Sequence, residues 1–300
     1  MSKIAVTGAN GMMGRHMTSL LKSKGIFVNE VTREEWDLTE WKSFNDLDNI
    51  FGSVSTIFHF GAQLLNNEKK NDNWQTQQTF DANTRSCLNL AEWATLRNIP
   101  IVFLSSSVVY KNPHALKILE TDPKVVNGFG GFYGYSKLLA ENIFRHFSLE
   151  GLNCVILRPS SIYGYGLPPI KLVQNYIDLA SSGSDLRVTE HKNKINLIHA
   201  YDVASAAFSA VNRKSWGIFN LSSKVENTIF QIAETAVSIS DVSSKIILGE
   251  HINGSVFTRF NLDSTLAKKS FGFETEIDLK EGMQLMKQRK LGPCRISNTS

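Results

Sequence analysis

The sequence predicts an α/β fold, in which a doubly wound parallel sheet is followed by a smaller C-terminal lobe. Through the first half of the 300-residue chain, short apolar runs alternate with stretches of helical periodicity. Strands that alternate with helices form parallel sheets whose two faces are both covered by helices. The hydrophobic content of 42% is enough for a sizeable buried core, so disordered and fibrous proteins are excluded.

Each element of the first half follows from its own pattern. Apolar runs predict strands at 4–6, 26–31, 56–60, 101–104 and 155–157. Helical spacing predicts helices directly after the first strand, at 82–97 and at 133–147. Gly25 ends the first of these helices, and Pro159 ends the last strand of the series.

The second half carries a less regular pattern. Residues 160–194 contain three glycines and two prolines, a composition that predicts loops and a cap around a cleft. Beyond them, strands are predicted at 195–198 and 218–221, and helices at 202–211, 229–237 and 279–290. We therefore assign residues 161–300 mainly to a second lobe, with segments of about 195–222 returning to the main sheet.

Charge and composition exclude several classes of protein. The net charge is +4 and the charged residues are interspersed, so no nucleic-acid partner is expected, although a small positive excess suits an anionic ligand. No apolar run reaches membrane-spanning length, and the first strand leaves no room for a signal peptide, so we expect a cytoplasmic protein without a membrane partner. The three cysteines lack metal-ligand spacing, so neither disulfides nor a metal site is predicted.

A glycine-rich turn joins the first strand to the first helix. Residues 7–14 read TGANGMMG. Gly8 permits the tight turn, Gly11 lets the backbone approach a pyrophosphate, and Gly14 allows close packing of the helix, whose N-terminal N–H groups face the phosphates. The turn predicts a Rossmann-type dinucleotide-binding domain over residues 1–160. The other loop residues expected at the cofactor are Asn10, Met12 and Met13.

The end of the second strand indicates which dinucleotide is bound. NAD-binding domains usually carry a carboxylate there, which holds the ribose hydroxyls. This chain presents Thr32 and Arg33 instead, and a guanidinium at that point would pair with the 2′-phosphate of NADP. NADP is therefore favoured over NAD. The alternatives are a solvated Arg33 and a strand register shifted by two residues, which would make Glu30 the acid that binds NAD.

Tyr133 and Lys137 are the candidates for the chemistry. Their spacing of four residues places them on one face of the predicted helix. A free phenol has a pKa of about 10 and carries protons poorly at neutral pH unless a cation such as Lys137 favours the phenolate. Tyr133 would then exchange a proton with a substrate oxygen while a nicotinamide exchanges hydride with the same carbon, and a serine hydroxyl would hold that oxygen. Taken alone, this spacing also arises by chance.

Eight motifs in order extend this interpretation over nearly the whole chain. They are TGANGMMG (7–14), FHFGAQ (58–63), FDAN (80–83), SSSVVY (105–110), YGYSK (133–137), RPSSIYGYG (158–166), IHAYDVA (198–204) and LDSTLAKKSFGF (262–273). Together they resemble the extended short-chain dehydrogenase/reductase family, specifically its nucleotide-sugar epimerases, dehydratases and reductases. The resemblance implies a nucleotide sugar as the small-molecule substrate.

The resemblance also implies roles for individual residues. The catalytic hydroxyl, four residues before the tyrosine of SSSVVY, is Ser106. The residues implied along the cofactor are Asp37 and Leu38 at the adenine, Phe60, Gly61 and Ala62 at the end of the third strand, Asn83 in the next helix, and Pro159 and Ile162 beside the nicotinamide. The substrate candidates are Ser107, Ser161 and Arg259, the last as a ligand of a diphosphate or simply a surface arginine.

Departures from the family pattern narrow the reaction. The 4,6-dehydratases carry Asp-Glu after the catalytic hydroxyl, where this chain has Ser107 and Val108, so dehydration is disfavoured. Members that resemble GDP-fucose synthase epimerise ring carbons beside a ketone, using a cysteine and a histidine at the positions of Val108 and Gly166, so this reaction is also disfavoured. Two outcomes remain: NADPH-dependent reduction of a 4-keto sugar nucleotide, which Arg33 favours, and NAD-dependent 4-epimerisation. A catalytically idle dinucleotide sensor is a third hypothesis, against which the complete serine, tyrosine and lysine set argues.

Two further expectations concern binding partners. Ser161 and Ile195 replace an asparagine and an arginine that sugar-nucleotide enzymes often place near the nucleotide, so either substrate binding is unusual or the substrate is not a nucleotide sugar. Family members commonly dimerise through the pair of helices that corresponds to residues 86–97 and 138–147, and we expect a homodimer.

Overall fold

The main sheet has six parallel strands. The computed structural model describes residues 3–64, 73–249 and 258–293. Numbered along the chain, the strands of this sheet are β1 (Lys3–Thr7), β2 (Phe27–Val31), β3 (Val54–His59), β4 (Ile101–Leu104), β5 (Cys154–Pro159) and β9 (Gly217–Leu221). Their order across the sheet is β2-β1-β3-β4-β5-β9, and every neighbouring pair is parallel. The Rossmann-type α/β prediction is confirmed.

Helices cover both faces of this sheet. The helices are α1 (Met12–Ser23), α2 (Phe44–Phe51), α3 (Asn73–Phe80), α4 (Ser86–Leu96), α5 (Gly131–Leu149), α6 (Leu172–Ser181), α7 (Ala200–Asn212), α8 (Ile229–Ser238), α9 (Thr265–Phe271) and α10 (Leu279–Lys287). One buried apolar cluster joins the sheet to α1, α7 and α9, and a second joins it to α2, α4 and α5. The strands predicted in the first half are all present: β1, β3, β4 and β5 are apolar runs with nearly every residue buried, whereas the edge strand β2 is mostly half-buried.

The second lobe is built on two small sheets. Its strands are β6 (Ser161–Tyr163), β7 (Leu186–Val188), β8 (Lys194–His199), β10 (Glu226–Thr228), β11 (Ile246–Leu248) and β12 (Thr258–Arg259). β8 is central in the larger of them, where it pairs with β6, β10 and β12, and β11 pairs with β7 in the other. A third apolar cluster packs these strands against α6, α8 and α10.

Two details of the second half differ from the sequence prediction. Residues 160–194 were expected to be loops, yet they contain β6, α6 and β7, because α6 buries one apolar face that outweighs the glycines and prolines around it. Of the segments assigned to the main sheet, β9 lies in it beside β5, whereas β8 belongs to the lobe. The edge of β5 is already occupied by β9, so β8 pairs elsewhere. The division into two domains itself stays a prediction.

Candidate active site

The glycine turn after β1 requires glycine at two points. Gly8 has a positive φ of 67°, and a Cβ on it would lie 2.6 Å from Cα of Gly61, because the ends of β1 and β3 approach closely here. A Cβ on Gly14 would lie 2.1 Å from the carbonyl oxygen of Gly8. Gly11 precedes α1 and offers no side-chain cap, so the N-terminal N–H groups of the helix remain available to an anion.

A cavity of about 130 Å³ opens beside this turn. Seven of the predicted cofactor residues line it, namely Gly8, Thr32, Arg33, Asp37, Leu38, Gly61 and Ala62. The cavity lies at the carboxyl ends of β1 to β3, where a parallel sheet of this topology forms its ligand crevice. Its position matches the adenine and ribose end of a dinucleotide whose phosphates lie on the N-terminus of α1.

Arg33 is paired with Asp37 inside this cavity. Its Nε and Nη2 atoms both lie 2.9 Å from Oδ2 of Asp37, and Oδ1 of the same carboxylate accepts hydrogen bonds from Thr39. Partial burial raises the pKa of Asp37, but the hydrogen bonds from Thr39 and Arg33 outweigh it and hold the pKa below its usual value. Glu30, the alternative acid, pairs with Lys22 at 2.6 Å and is not among the residues that line the cavity.

Two of the predicted cofactor residues bury their side chains in the core. Met13 and Phe60 are 6% and 8% exposed and pack in the cluster between the sheet and α1. Only their backbone groups can therefore contact a ligand. Asn10 is exposed in the turn, and Met12 is partly buried at the start of α1.

Asn83 lies in a π-helical turn, Asp81–Arg85, between α3 and α4. Its amide nitrogen donates to Oγ of Ser136 at 3.1 Å and to the carbonyl of Gln63 at 2.9 Å, and its oxygen accepts from the N–H of Gln63 at 2.7 Å. The asparagine thereby fixes the segment after β3 to the helix that carries Tyr133 and Lys137. The sequence pattern predicted a plain helix here and gave no sign of the π turn.

Tyr133 and Lys137 lie on one face of α5, as predicted. Lys137 Nζ donates to the carbonyl of Leu104 at 2.8 Å and lies 5.9 Å from the centre of the Tyr133 ring. Burial lowers the pKa of Lys137 to about 8 and raises the pKa of Tyr133 to about 12. Desolvation of the phenol accounts for the raised pKa of Tyr133 in the chain without ligands, and the expectation that Lys137 favours the phenolate stays a prediction.

The serine motif forms a short turn against the start of α5. Ser106 precedes a 3₁₀ helix at Ser107–Val109, and its Oγ accepts from the N–H of Val108 at 3.3 Å. Gly130 and Gly134 allow close packing, since a Cβ on them would lie 2.6 Å from Cγ2 and 3.1 Å from the oxygen of Val108. The turn that carries Ser106 is thus packed against the helical turn that carries Tyr133.

The remaining predicted residues are Ser107 in the 3₁₀ helix and four residues at or beyond the end of β5. Pro159 ends β5, Ser161 and Ile162 are half-buried in β6, and Ser107 is buried. Arg259 lies in β12 directly opposite Ile195 of β8, and its guanidinium lies 4.6 Å from the centre of the Phe129 ring. Its Nε is buried and has no hydrogen-bond partner within the described part of the chain, and burial lowers its pKa. Arg259 therefore lies beside Ile195, where the family pattern implied by the sequence resemblance has an arginine.

The described part of the chain has neither a cluster of metal ligands nor a helix that could span a membrane. Among residues 3–64, 73–249 and 258–293, no group of three or more His, Cys, Asp or Glu side chains could hold a metal ion. No helix within these ranges is long and apolar enough to cross a membrane.

Comparison with known proteins identifies the family. The sequence profile of the NAD dependent epimerase/dehydratase family matches residues 4–222. The chain belongs to this family. A relative, a proposed UDP-glucose 4-epimerase of Methanocaldococcus jannaschii, is 27% identical over 94% of this chain and 96% of its own length.

Solved structures share the fold of this epimerase/dehydratase family member. The UDP-N-acetylglucosamine 4-epimerase of Bacillus cereus superposes with a TM-score of 0.83 at 23% identity and covers 99% of both chains. A UDP-glucose 4-epimerase of Stenotrophomonas maltophila, solved with bound NAD and formylated UDP-arabinopyranose, has a TM-score of 0.81 at 20% identity and covers 96% of this chain and 98% of its own. Identities this low establish the fold alone.

The sequence motifs did not reveal a buried polar cluster beside the candidate catalytic residues of this family member. It comprises Ser105, Tyr110, Glu141 and Arg158. The sequence did contain a sign of this cluster. Glu141 follows Lys137 by four residues, and Arg158 is a charged residue near the end of a strand that is otherwise apolar. Charges at such positions are buried and need partners.

Proposed function

We propose that this protein is a nucleotide-sugar 4-epimerase that uses NAD and moves hydride off and back onto one carbinol carbon. The observation that carries the proposal is the pairing of Arg33 with Asp37 at the adenine-side cavity. The chain also has the complete set of Ser106, Tyr133 and Lys137. The fit to a dinucleotide rests on the glycine cradle, which a Cβ on Gly8 or Gly14 would fill.

Each catalytic residue has a defined task in this proposal. The Ser106 oxygen accepts from Val108, so its hydrogen is available to hold the reacting oxygen of the sugar. Tyr133 takes the proton of the sugar hydroxyl and later returns it, and Lys137, fixed by Leu104, provides the nearby positive charge. NAD, when bound, supplies the hydride acceptor and a second positive charge beside the phenol.

The Arg33–Asp37 pair favours NAD over NADP. The carboxylate already neutralises the guanidinium, and a 2′-phosphate beside it would face the negative charge of Asp37. An uncharged 2′-hydroxyl meets no such repulsion. The sequence prediction of NADP rested on Arg33 without its partner, so this pair removes the main reason for preferring a reductase.

A 4-keto sugar nucleotide reductase that uses NADPH is the second candidate. The Arg33 side chain is 71% exposed, and its ion pair with Asp37 is therefore weak enough to open for a phosphate. In that reaction Tyr133 gives its proton to the new alkoxide, and the oxidised cofactor leaves.

The substrate class follows from Arg259 and from the family. Arg259 is half-buried, lies on an aromatic ring and has no hydrogen-bond partner at Nε among the residues that the structure describes. It therefore suits a diphosphate, which would supply an acceptor. With Ile195 in place of a second arginine, Arg259 would carry more of the diphosphate binding than usual. Ser107 and Ser161 are the further proposed substrate residues.

We also propose a homodimer formed through α4 and α5. These helices share a face of the sheet, and Leu96 and Leu149 remain 68% and 89% exposed near their C-terminal ends. A monomeric mass by light scattering at micromolar concentration would contradict this proposal.

The deciding experiment follows both sugar and cofactor. Purified protein is incubated with UDP-glucose or UDP-N-acetylglucosamine without added cofactor, the sugar is followed by NMR, and the released dinucleotide is identified by mass spectrometry. Conversion to the 4-epimer with bound NAD and no net cofactor change supports the epimerase. In a separate incubation with NADPH and a 4-keto sugar nucleotide, consumption of NADPH favours the reductase instead if the first incubation shows no epimerisation. Cofactor binding with neither reaction would favour the idle sensor.

A further inference from the structure

A fully buried ion pair joins α5 to the end of β5. The side chains of Glu141 and Arg158 are 1% and 2% exposed, with Arg158 Nη2 2.5 Å from Oε2 and Nε 2.9 Å from Oε1. Glu141 lies one helical turn after Lys137, and Arg158 lies directly before Pro159. Neither residue lines the cofactor cavity.

This pair holds both ends of the loop that carries Ser106. Ser105 Oγ donates to Oε1 of Glu141 at 2.5 Å, and Arg158 Nη1 donates to the hydroxyl oxygen of Tyr110 at 3.0 Å. Ser105 directly precedes the catalytic serine, and Tyr110 follows it by four residues. The Ser105 N–H also donates to the carbonyl of Leu157 at 2.8 Å, so this end of the loop is fixed by both backbone and side chain.

The same network reaches the segment that covers the loop from outside. The Tyr110 hydroxyl donates to Oδ1 of Asn220 at 2.6 Å, and Asn220 Nδ2 donates to the carbonyl of Ile118 at 3.0 Å. Arg158 Nη1 donates to the carbonyl of Glu120 at 3.0 Å. The Arg158 guanidinium therefore donates four hydrogen bonds, two to Glu141 and one each to Tyr110 and Glu120.

Stability alone does not explain an ion pair at this place. Removing two charges from water costs about as much as their attraction returns, and apolar residues of similar size would often stabilise such a site equally well. A carboxylate with three donors fixed on it does restrict geometry, because each hydrogen bond is directional. We propose that Glu141 is a positioning residue, which through Ser105 and Arg158 holds the Ser106 loop in line with Tyr133 and Lys137.

A second effect of Glu141 acts on Lys137. Burial has the largest effect on the pKa of Lys137 and lowers it, whereas electrostatic interactions with Cys87 and with the Glu141 carboxylate raise it. The groups facing the amine are Cys87 from α4, His59 from β3, and Tyr133 and Glu141 from its own helix. Removing the charge of Glu141 should therefore move the alkaline limit of activity to lower pH.

The first test is Ser105→Ala, which removes one hydrogen bond and leaves the ion pair intact. It rests on the proposed function for its turnover readout, so amide hydrogen exchange of the ligand-free protein is measured as well. We expect kcat to fall roughly tenfold to a hundredfold with KM nearly unchanged, and exchange to rise within residues 104–110. Ser105→Thr, which keeps the hydroxyl, should restore both.

Ser148→Ala is the matched control, because it removes a hydroxyl hydrogen bond to Phe144 at the far end of α5. It should leave kcat and exchange at 104–110 unchanged. If Ser105→Ala behaves like this control in both measurements, the positioning role is wrong. If exchange rises but the wild-type chain turns over no sugar nucleotide, the proposed function fails while the positioning role stands.

Glu141→Gln gives the second test. It keeps an acceptor for Ser105 but removes the charge, and we expect the alkaline limit of kcat/KM to shift downward. Should this variant not fold, Tyr110→Phe breaks the network at its other end and should lower kcat with KM nearly unchanged. An unchanged pH profile in folded Glu141→Gln, or wild-type kcat in Tyr110→Phe, overturns the assignment.

Discussion

Lys137 Nζ donates a hydrogen bond of 2.8 Å to the backbone carbonyl of Leu104, the last residue of β4. This bond fixes the amine between the end of the sheet and the ring of Tyr133, whose centre is 5.9 Å away. The same amine lies 4.7 Å from the centre of the Phe103 ring. A positive charge is therefore held in a site with little water. Burying this charge lowers the stability of the folded protein, but the proposed reaction needs the charge at this place.

Lys137→Met should inactivate the enzyme and stabilise it at neutral pH. Burial lowers the pKa of Lys137 from 10.5 to about 8, so the folded state holds this proton less well than the unfolded state does. Methionine removes a cost of at most roughly 3 kcal/mol and loses the hydrogen bond to Leu104, so we expect a net gain of about 1–2 kcal/mol. Denaturant unfolding at pH 7 measures the free energy of unfolding, and turnover assays measure the loss of activity.

The pH dependence provides the control for this prediction. Above the folded pKa of about 8, wild-type protein buries a neutral amine, while the unfolded chain stays charged up to 10.5. Wild-type stability should therefore rise across this interval relative to Lys137→Met, and the difference between them should shrink. A difference that does not change with pH would show that packing, and not the charge, separates the two proteins.

Tyr133→Phe should abolish turnover without loss of cofactor binding. Desolvation of the partly buried phenol raises its pKa to about 12, and its ring packs at the start of α5 whether or not the oxygen is present. We expect kcat to fall by about three orders of magnitude or more, as for removal of an essential acid–base group. Dinucleotide affinity by calorimetry should stay within about twofold, and retained turnover would contradict the assigned role.

Asp37→Asn should shift cofactor preference toward NADP. Asparagine can still accept from Thr39 but no longer neutralises Arg33, so the guanidinium becomes available to a 2′-phosphate. We expect the ratio of NADP to NAD affinity to rise by about tenfold, which corresponds to roughly 1.4 kcal/mol. Glu34→Gln, which makes the same change in net charge one residue from Arg33, is the control. Equal ratios in the two variants would exclude a specific role for Asp37.

The sequence was sufficient for the main sheet and for the backbone of the site. Buried parallel strands appear as apolar runs, and the glycines of the turn leave a spacing that can be recognised without coordinates. Thr32, Arg33, Asp37 and Leu38 line one cavity as the motifs implied. These features depend on residues that are close together in the chain, so the sequence pattern alone was enough to predict them.

Contacts between distant segments could not be predicted in the same way. The bond from Ser105 to Glu141 joins residues 36 apart, and even the pairing of Arg33 with Asp37, four residues away, depends on the path of the chain after β2. The placement of β8 in the lobe depends on competition for the edge of β5, which no single segment encodes. The direction of a side chain could not be predicted from its motif either. Met13 and Phe60 lie in cofactor motifs, but their side chains face the core.

Gly14→Ala should abolish dinucleotide binding through sterics alone. The added Cβ would lie 2.1 Å from the carbonyl oxygen of Gly8, a backbone atom that cannot move without opening the turn. Gly25→Ala is the matched control, because its positive φ of 71° makes alanine unfavourable by about 1 kcal/mol while its Cβ would meet nothing within 4 Å. Both variants should lose stability in thermal unfolding, but only Gly14→Ala should lose cofactor affinity by calorimetry, by at least about a hundredfold. Wild-type affinity in Gly14→Ala would mean that the dinucleotide does not bind on this turn.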